Sequence, residues 1–527
     1  MTVAMEIMPT SNARKGDYTP LFLAQQVREF DRIAIEQRGI PGILLMKRAG
    51  RALFDLTVAL CEQHSHSSDS APAITLFCGA GNNGGDGYIV AALAGWHVQL
   101  ISLTDSTALK GDALLAAQFA QQAGVVAQLW PDFVKDKCQI EGQLIVDALL
   151  GTGLSRDLSG DFLSAIRVIN EANVPVISAD IPSGLCSDTG RVFGAAVRAT
   201  HTMSFIARKR GLYTGRASDL AGQRHFDSLG VPEDIYAEQA PAALQIVHSP
   251  MPKREKGSHK GRHGHVLVVG GNHGMAGAIA MAAQAAARSG AGLVSCATRL
   301  EHANLITSLQ PEIMSHGVPT AQDLRQLAQR ASVLVIGPGL GKDAWAQDLL
   351  EVACELEIPQ LWDADALNLL AQFPERFQLS VAAPRVVTPH PGEAARLLAL
   401  TVKAVEADRF AAAENLQRAL QSGSQQTTPA VVLLKGAGTI IADGQQLYVN
   451  STGSPAMATG GMGDVLSGLI GSLIAQGLSS TAAAQQGAFL HGKAGELAGT
   501  AGGERGTLAT DLLPYLRHLV NETDYLG

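Results

Sequence analysis

Apolar positions along this chain follow two alternating rhythms. From Leu21 to Leu60, Val27, Phe30, Ile33 and Ala34, then Leu44, Leu45, Met46, Ala49 and Leu53, fall three or four residues apart. That is the spacing of a helix with one buried face. Gly39-Ile40-Pro41-Gly42 interrupts the run and predicts two helices instead of one. Short, mostly apolar, strand-like runs follow at Ile74–Cys78, Val98–Leu103, Leu144–Asp147 and Val174–Asp180, the last two ending in an aspartate. The first leads into a predicted loop over Gly79–Gly87 and a helix from Tyr88 to Gly95. A second series of such runs lies at His265–Val269, Val333–Ile336, Gln360–Asp363, Arg385–Thr388 and Ala430–Leu434. Between them, Ala276–Val294 reads as one buried helix, interrupted by Gln284, Arg288 and Ser289. Strands alternating with helices predict parallel sheets, with ligands at the C-terminal strand ends.

The rhythm lapses between about Tyr236 and His263, where Pro241, Pro250, Pro252, Gly257 and Gly261 gather. A linker is placed at 241–258, separating domains 1–240 and 259–527. Residues 1–20 and His64–Ser70 read as polar loops. The chain has 527 residues, beyond the size at which one core stops growing. Hydrophobic residues make up 46% and charged residues 17%, a balance that favours packed cores over disorder. The net charge of −8, with no long basic run, argues against nucleic acid as a partner. Six scattered cysteines form no Cys-x-x-Cys pair, so a reduced, cytoplasmic setting is expected. The N-terminus lacks the pattern of a signal peptide, and no membrane partner is expected.

Candidate chemistry sits just after the strands. Gly79-Ala80-Gly81-Asn82-Asn83-Gly84 matches a dinucleotide fingerprint. It runs on through Gly85-Asp86-Gly87, longer and more polar than a dehydrogenase turn, and it also fits a plain glycine turn. Asp147-Ala148-Leu149-Leu150-Gly151-Thr152-Gly153 and Asp180-Ile181-Pro182-Ser183-Gly184 follow two further strands. Oxygens of Asn83, Asp147 and Ser183 suit a hard cation. Gly151, Thr152, Gly153, Leu154, Ser155, Arg156 and Asp157 offer backbone donors to phosphate. Asp180 suits an acid or base, although each aspartate alone also fits a helix cap.

These segments, with Leu45-Met46-Lys47-Arg48-Ala49-Gly50 upstream, resemble the YjeF N-terminal domain of the NAD(P)H-hydrate epimerase family. The resemblance implies a Rossmann-like three-layer α/β/α domain. It assigns K⁺ to Asn83, Asp147 and Ser183. It assigns the hydrated cofactor to Asn82, Asn83, Gly84, Gly85 and Asp86, to Gly151–Asp157, and to Asp180 as acid/base.

In the second half, Gly487–Lys493 nearly matches a Walker A loop, but Ala494 stands where Ser or Thr would meet Mg²⁺. The stronger feature is Gly460-Gly461-Met462-Gly463-Asp464 ahead of an apolar run. Bare N–H groups at a helix start bind anions, and Asp464 there can take a proton from an attacking hydroxyl. Lys435-Gly436-Ala437-Gly438-Thr439 follows a strand and can cradle phosphates. Thr388–Glu393, Gly337–Gly341 and Trp362–Asn368 follow three others.

This set, with Gly274–Ala278, Ser289–Leu293 and Asn450–Gly453, resembles the ribokinase-like superfamily and, within it, the NAD(P)H-hydrate dehydratase domain. Where sugar kinases carry Asn-x-x-Glu, this chain has His390-Pro391-Gly392-Glu393, which fits the dehydratase branch. The resemblance assigns Lys435, Gly436, Ala437, Gly438, Thr439 and Gly463 to the nucleotide, with Mg²⁺. It assigns Ala278, Gly339 and His390 to the hydrate, and Asp464 to the catalytic base.

Together the two resemblances imply repair of NADH hydrate and NADPH hydrate. One domain would interconvert the R and S epimers at C6, and the other would dehydrate the S form using ADP or ATP. A homo-oligomer is expected. The rival expectation is a kinase of a vitamin-type alcohol with a non-catalytic N-terminal binding domain.

Overall fold

The computed structural model describes residues 18–64, 73–94, 98–248, 250–377, 383–422 and 430–522. The polar stretch before Tyr18 and the loop at 65–72 lie outside them. The chain divides into two compact units, Pro20–Ala243 and Leu244–Gly527, the latter including Tyr18 and Thr19.

Eighteen strands are described. They are β1 (Tyr18–Leu21), β2 (Ile74–Cys78), β3 (Val98–Ser102), β4 (Ala127–Leu129), β5 (Leu144–Ala148), β6 (Val176–Ala179), β7 (His201–Phe205), β8 (Gln223–Asp227) and β9 (Ala243–Ile246). The second half adds β10 (His265–Val269), β11 (Leu293–Thr298), β12 (Met314–Gly317), β13 (Val333–Ile336), β14 (Gln360–Trp362) and β15 (Arg385–Val387). It ends with β16 (Val431–Leu434), β17 (Thr439–Ala442) and β18 (Leu447–Asn450).

The first unit is built on a seven-stranded sheet in the order β4-β3-β2-β5-β6-β7-β8. Every pair in it is parallel. β2 and β5 are buried at every position, as expected of strands covered on both faces. Helices pack on each side of the sheet. The chain winds outward from β2 in one direction and from β5 in the other. A crevice for ligands therefore opens between the C-terminal ends of those two strands.

The helix after β2 begins at Asn82, not Tyr88. The glycines read as a loop are instead packing positions. A Cβ at Gly85 would meet Met46 Sδ at 2.5 Å, and one at Gly87 would meet Cys78 Sγ at 2.6 Å. The missing side chains let this helix press onto β2 and onto the helix Gly42–His64.

The second unit is built on an eleven-stranded sheet in the order β1-β9-β18-β17-β16-β15-β14-β13-β10-β11-β12. β10 to β16 pair in parallel, and β16-β17-β18 are antiparallel. Residues 243–246, inside the expected linker, form β9 and pair with Tyr448 and Val449 of β18. The apolar stretch read as one helix to Val294 ends as a helix at Arg288. Gly290, at φ 104°, turns the chain, and Val294 lies in β11. The direction of winding reverses between β10 and β13, which places the second crevice there.

Candidate active sites

In the first unit a cavity of about 830 Å³ opens at the β2/β5 crevice. Its wall contains Gly81, Asn82, Asn83, Asp86, Gly151–Arg156 and Asp180. The structure thus gathers most of the expected residues around one space. Gly84 and Gly85 do not reach it; both serve close backbone packing. Asp157 lies off the wall and pairs with Arg191 at 3.7 Å.

Asp180 follows β6 with φ 62°, a left-handed conformation uncommon outside glycine that aspartate tolerates better than most residues. Its Oδ1 accepts hydrogen bonds from Phe205 N at 3.1 Å and from Lys209 Nζ. Lys209 is 1% exposed and also donates to the Phe205 carbonyl at 2.8 Å. The carboxylate is therefore locked in place at the cavity wall. Asp86, one turn into the helix Asn82–Ala94, is 8% exposed. Burial, then the charges of Asp180 and Asp31, push its carboxyl well above the usual range, against Lys209.

Behind the wall, Asp147 is fully buried. It accepts from Ser183 Oγ at 2.6 Å, Ser183 N at 2.9 Å, Ser178 Oγ at 2.7 Å and Leu149 N at 3.3 Å. Burial raises its pKa, while these hydrogen bonds work the other way. Ser183 Oγ accepts from Leu150 N at 2.8 Å. Asn83 lies against Gly151, with its Nδ2 buried and lacking a hydrogen-bond partner. Asn83, Asp147 and Ser183 thus border one segment, Leu149–Gly151, and present carboxylate, hydroxyl and amide groups. The oxygens of these groups are of the kind a hard cation takes, whereas Asn83 Nδ2, without a partner among the described residues, is an N–H donor and no cation ligand.

In the second unit, Gly461 at φ 88° turns the chain into the helix Met462–Ala475. Asp464 stands in its first turn. Its carboxyl makes no hydrogen bond among the described residues. Burial first, then the negative charges of Asp363 and Asp365, push it up to about 7, although Lys435 pulls it down. Lys435 Nζ bonds Asp363 Oδ1 at 2.6 Å and lies 3.9 Å from Glu393. Asp363 Oδ2 accepts from Ser467 Oγ at 2.8 Å. A Cβ on Gly463 would come within 3.4 Å of Lys435 Nζ and 3.5 Å of Asp363, so glycine keeps the helix start bare. Burial also pushes Glu393 up to about 7.

His390 caps the helix Pro391–Leu397. Its Nδ1 accepts from Gly392 N at 2.9 Å, which requires the neutral imidazole with its proton on Nε2. Burial and then Lys435 lower its pKa, in agreement. Gly339, at φ 58°, abuts Ala278; a Cβ there would sit 3.1 Å from the alanine methyl. Gly341 N donates to Asp365 Oδ2 at 2.9 Å, tying the β13 loop to the β14 loop. The loop Lys435–Thr439 is braced by Arg409, 1% exposed, which donates to the Lys435 carbonyl at 3.0 Å.

Two family models match the chain. One described as YjeF-related protein N-terminus covers residues 43–211, and one described as NAD(P)H-hydrate dehydratase covers 266–518. The bifunctional NAD(P)H-hydrate repair enzyme of Coxiella burnetii is 45% identical over 511 residues, 95% of this chain and 100% of the relative. That of Escherichia coli is 41% identical, over 95% of this chain and 94% of its own. The chain belongs to the bifunctional NAD(P)H-hydrate repair enzyme family. A solved ADP/ATP-dependent NAD(P)H-hydrate dehydratase from Bacillus subtilis, co-crystallised with ATP and Mg²⁺, is 28% identical. It covers 51% of this chain and 93% of its own, with a TM-score of 0.45. Relatives matched over both halves weigh against the vitamin-kinase alternative.

For a repair enzyme of this family, several residues at the two sites carried no motif in the sequence. Lys209 follows β7, a strand with no clean apolar run, so nothing flagged it. Asp31 lies one turn after Val27 on the first helix and joins the cavity wall. Arg409 and Ser467 act through contacts that no local pattern reveals.

Proposed function

We propose that the first unit interconverts the R and S hydrates of NADH and NADPH, and that the second dehydrates the S form at the expense of ADP, yielding AMP and phosphate. The domain assignment is epimerase over 1–240 and dehydratase over 259–527. The observation that carries the reading is Asp464, an unpartnered carboxyl poised near neutrality beside bare helix N–H groups. At C6 the hydrate carries a hydroxyl that leaves poorly. Asp464 takes its proton as the oxygen attacks the nucleotide's terminal phosphorus. The helix start and the Lys435–Thr439 loop hold the phosphates. Phosphate then departs, driven by the lone pair on the ring nitrogen, and loss of a proton from the adjacent C5 to solvent restores the ring double bond. His390, Ala278 and Gly339 bound the hydrate.

Mg²⁺ bound with the nucleotide would neutralise phosphate charge; Glu393, 3.9 Å from Lys435, is the carboxylate that would hold it, leaving Asp464 free to act as base. K⁺ held by Asn83, Asp147 and Ser183 would supply fixed positive charge behind the epimerase cavity. The enzyme is expected to work in the cytoplasm as a homo-oligomer.

The test is to incubate the protein with hydrated NADH and either ADP or ATP, following recovery of reduced-nicotinamide absorbance. Recovery with ADP and release of AMP is the expected result. A stable phosphorylated product without recovery overturns the reading.

A further inference from the structure

The epimerase cavity holds two aspartates in opposite circumstances. Asp180 is anchored through one oxygen, with Lys209 and Phe205 N both donating to its Oδ1. Asp86 lines the same cavity, is 8% exposed, and makes no hydrogen bond among the described residues. Neither of its oxygens is sealed from the cavity, since neither stands among the buried, partnerless polar atoms. Its carboxyl is therefore aimed at whatever the cavity holds. The groups that face it are Asp180, Asp31 and Lys209, with the Cys78 thiol behind.

A buried carboxyl without a cation of its own holds its proton, because ionising it there would strand a charge. Lys209, whose charge acts on Asp86, is already committed to Asp180. A neutral donor and a locked anion on one wall form an acid/base pair with separated roles.

We propose that Asp86 is the general acid of epimerisation and Asp180 its base. The proposal rests on the epimerase reading above. C6 of the hydrate bears a hydroxyl and the ring nitrogen. Asp86 gives its proton to the hydroxyl oxygen as the C6–O bond breaks, its electron pair leaving with the oxygen as water. The nitrogen lone pair forms the C6=N1 bond. Water then adds to the opposite face of C6, the π pair returns to nitrogen, and the proton of the incoming water passes to Asp180. Solvent water takes the proton from Asp180 and returns one to Asp86 between turnovers. No oxidant or reductant is needed. The burial that keeps Asp86 protonated means that the rate falls as pH rises through its pKa.

The test follows R–S interconversion chromatographically, without nucleotide, in H₂¹⁸O. The wild-type protein is expected to incorporate ¹⁸O at C6 as it epimerises. Asp86→Asn should lose about 100-fold or more of kcat, whereas Asp86→Glu, which still bears a proton, should restore part of the rate and keep the alkaline limb of the pH profile. Retention of ¹⁶O through epimerisation overturns the leaving-group step. An Asp86→Asn variant with the wild-type rate and alkaline limb overturns the acid assignment, as does an Asp86→Glu variant no faster than Asp86→Asn. If the wild-type protein interconverts no hydrate at all, the epimerase reading itself has failed, which is a different result.

Discussion

Replacing Asp464 with asparagine should make the second unit more stable and nearly inactive. The carboxyl stands at about 7 instead of its ordinary 3.8, burial being the chief cause. Each tenfold change in proton affinity is worth about 1.4 kcal/mol, so the full displacement bounds the penalty at roughly 4 kcal/mol. Asp464 shares its field with Asp363, Lys435 and Asp365 and is only partly buried. Screening and coupling reduce the expected gain to about 1–2 kcal/mol. The sign follows from linkage. A carboxyl raised on folding favours the folded state at low pH, and that advantage is lost as pH rises through about 7. Asparagine escapes the loss. Thermal denaturation without nucleotide should show the variant melting about 3–6 °C higher at about pH 8, with the difference closing toward about pH 4. Dehydration of the S hydrate should fall about 10²–10⁴-fold. In the wild type the same group acts as base, so dehydratase kcat should decline as pH falls below about 7, opposite in sense to stability. A variant that melts no higher at about pH 8, or whose gain is the same at both ends of the range, refutes this account of Asp464.

Lys209→Met leaves the Asp180 carboxylate partly buried and without its cation; epimerisation should drop about 100-fold or more while dehydration of pure S hydrate persists, measured by separating the epimers. Gly436→Ala places a methyl 2.7 Å from the Arg409 guanidinium at φ 143°, a strain of about 1–3 kcal/mol; KM for the nucleotide should rise with little change in kcat, and an unchanged KM counts against the phosphate-loop assignment. Gly339→Val, at φ 58° and against Met275 and Ala278, should raise KM for the hydrate more than KM for ADP in steady-state kinetics.

Much of this was legible in the chain because parallel strands announce themselves. β2, β10 and β13 have the bounds that their runs define, since strands covered on both faces are dominated by apolar residues. The edge strands were harder. β4 (Ala127–Leu129) and β12 (Met314–Gly317) are short and half-exposed, so nothing in their residues demands an extended chain. The glycine-rich stretch Gly79–Gly87 pointed to a loop, although its residues from Asn82 onward are helical, because local propensity cannot register the close approach of β2 and of the helix Gly42–His64. At the candidate sites, motif residues such as Asp180 and Asp464 stood out because glycine and strand signals frame them. Lys209 and Arg409 did not. Their roles arise from contacts with segments 29 and 26 residues away, and sequence spacing carries no trace of such pairings.

Each unit carries a lysine–carboxylate pair withdrawn from solvent: Lys209 with Asp180, and Lys435 with Asp363, the latter at 19% and 2% side-chain exposure. Mobile ions screen charges over roughly 8 Å at physiological ionic strength, but only where water and ions can enter between them. Neither pair leaves that room. Changes in the salinity of the medium should therefore act on how anionic nucleotides approach the protein, while the internal alignment of both carboxylates stays indifferent to them.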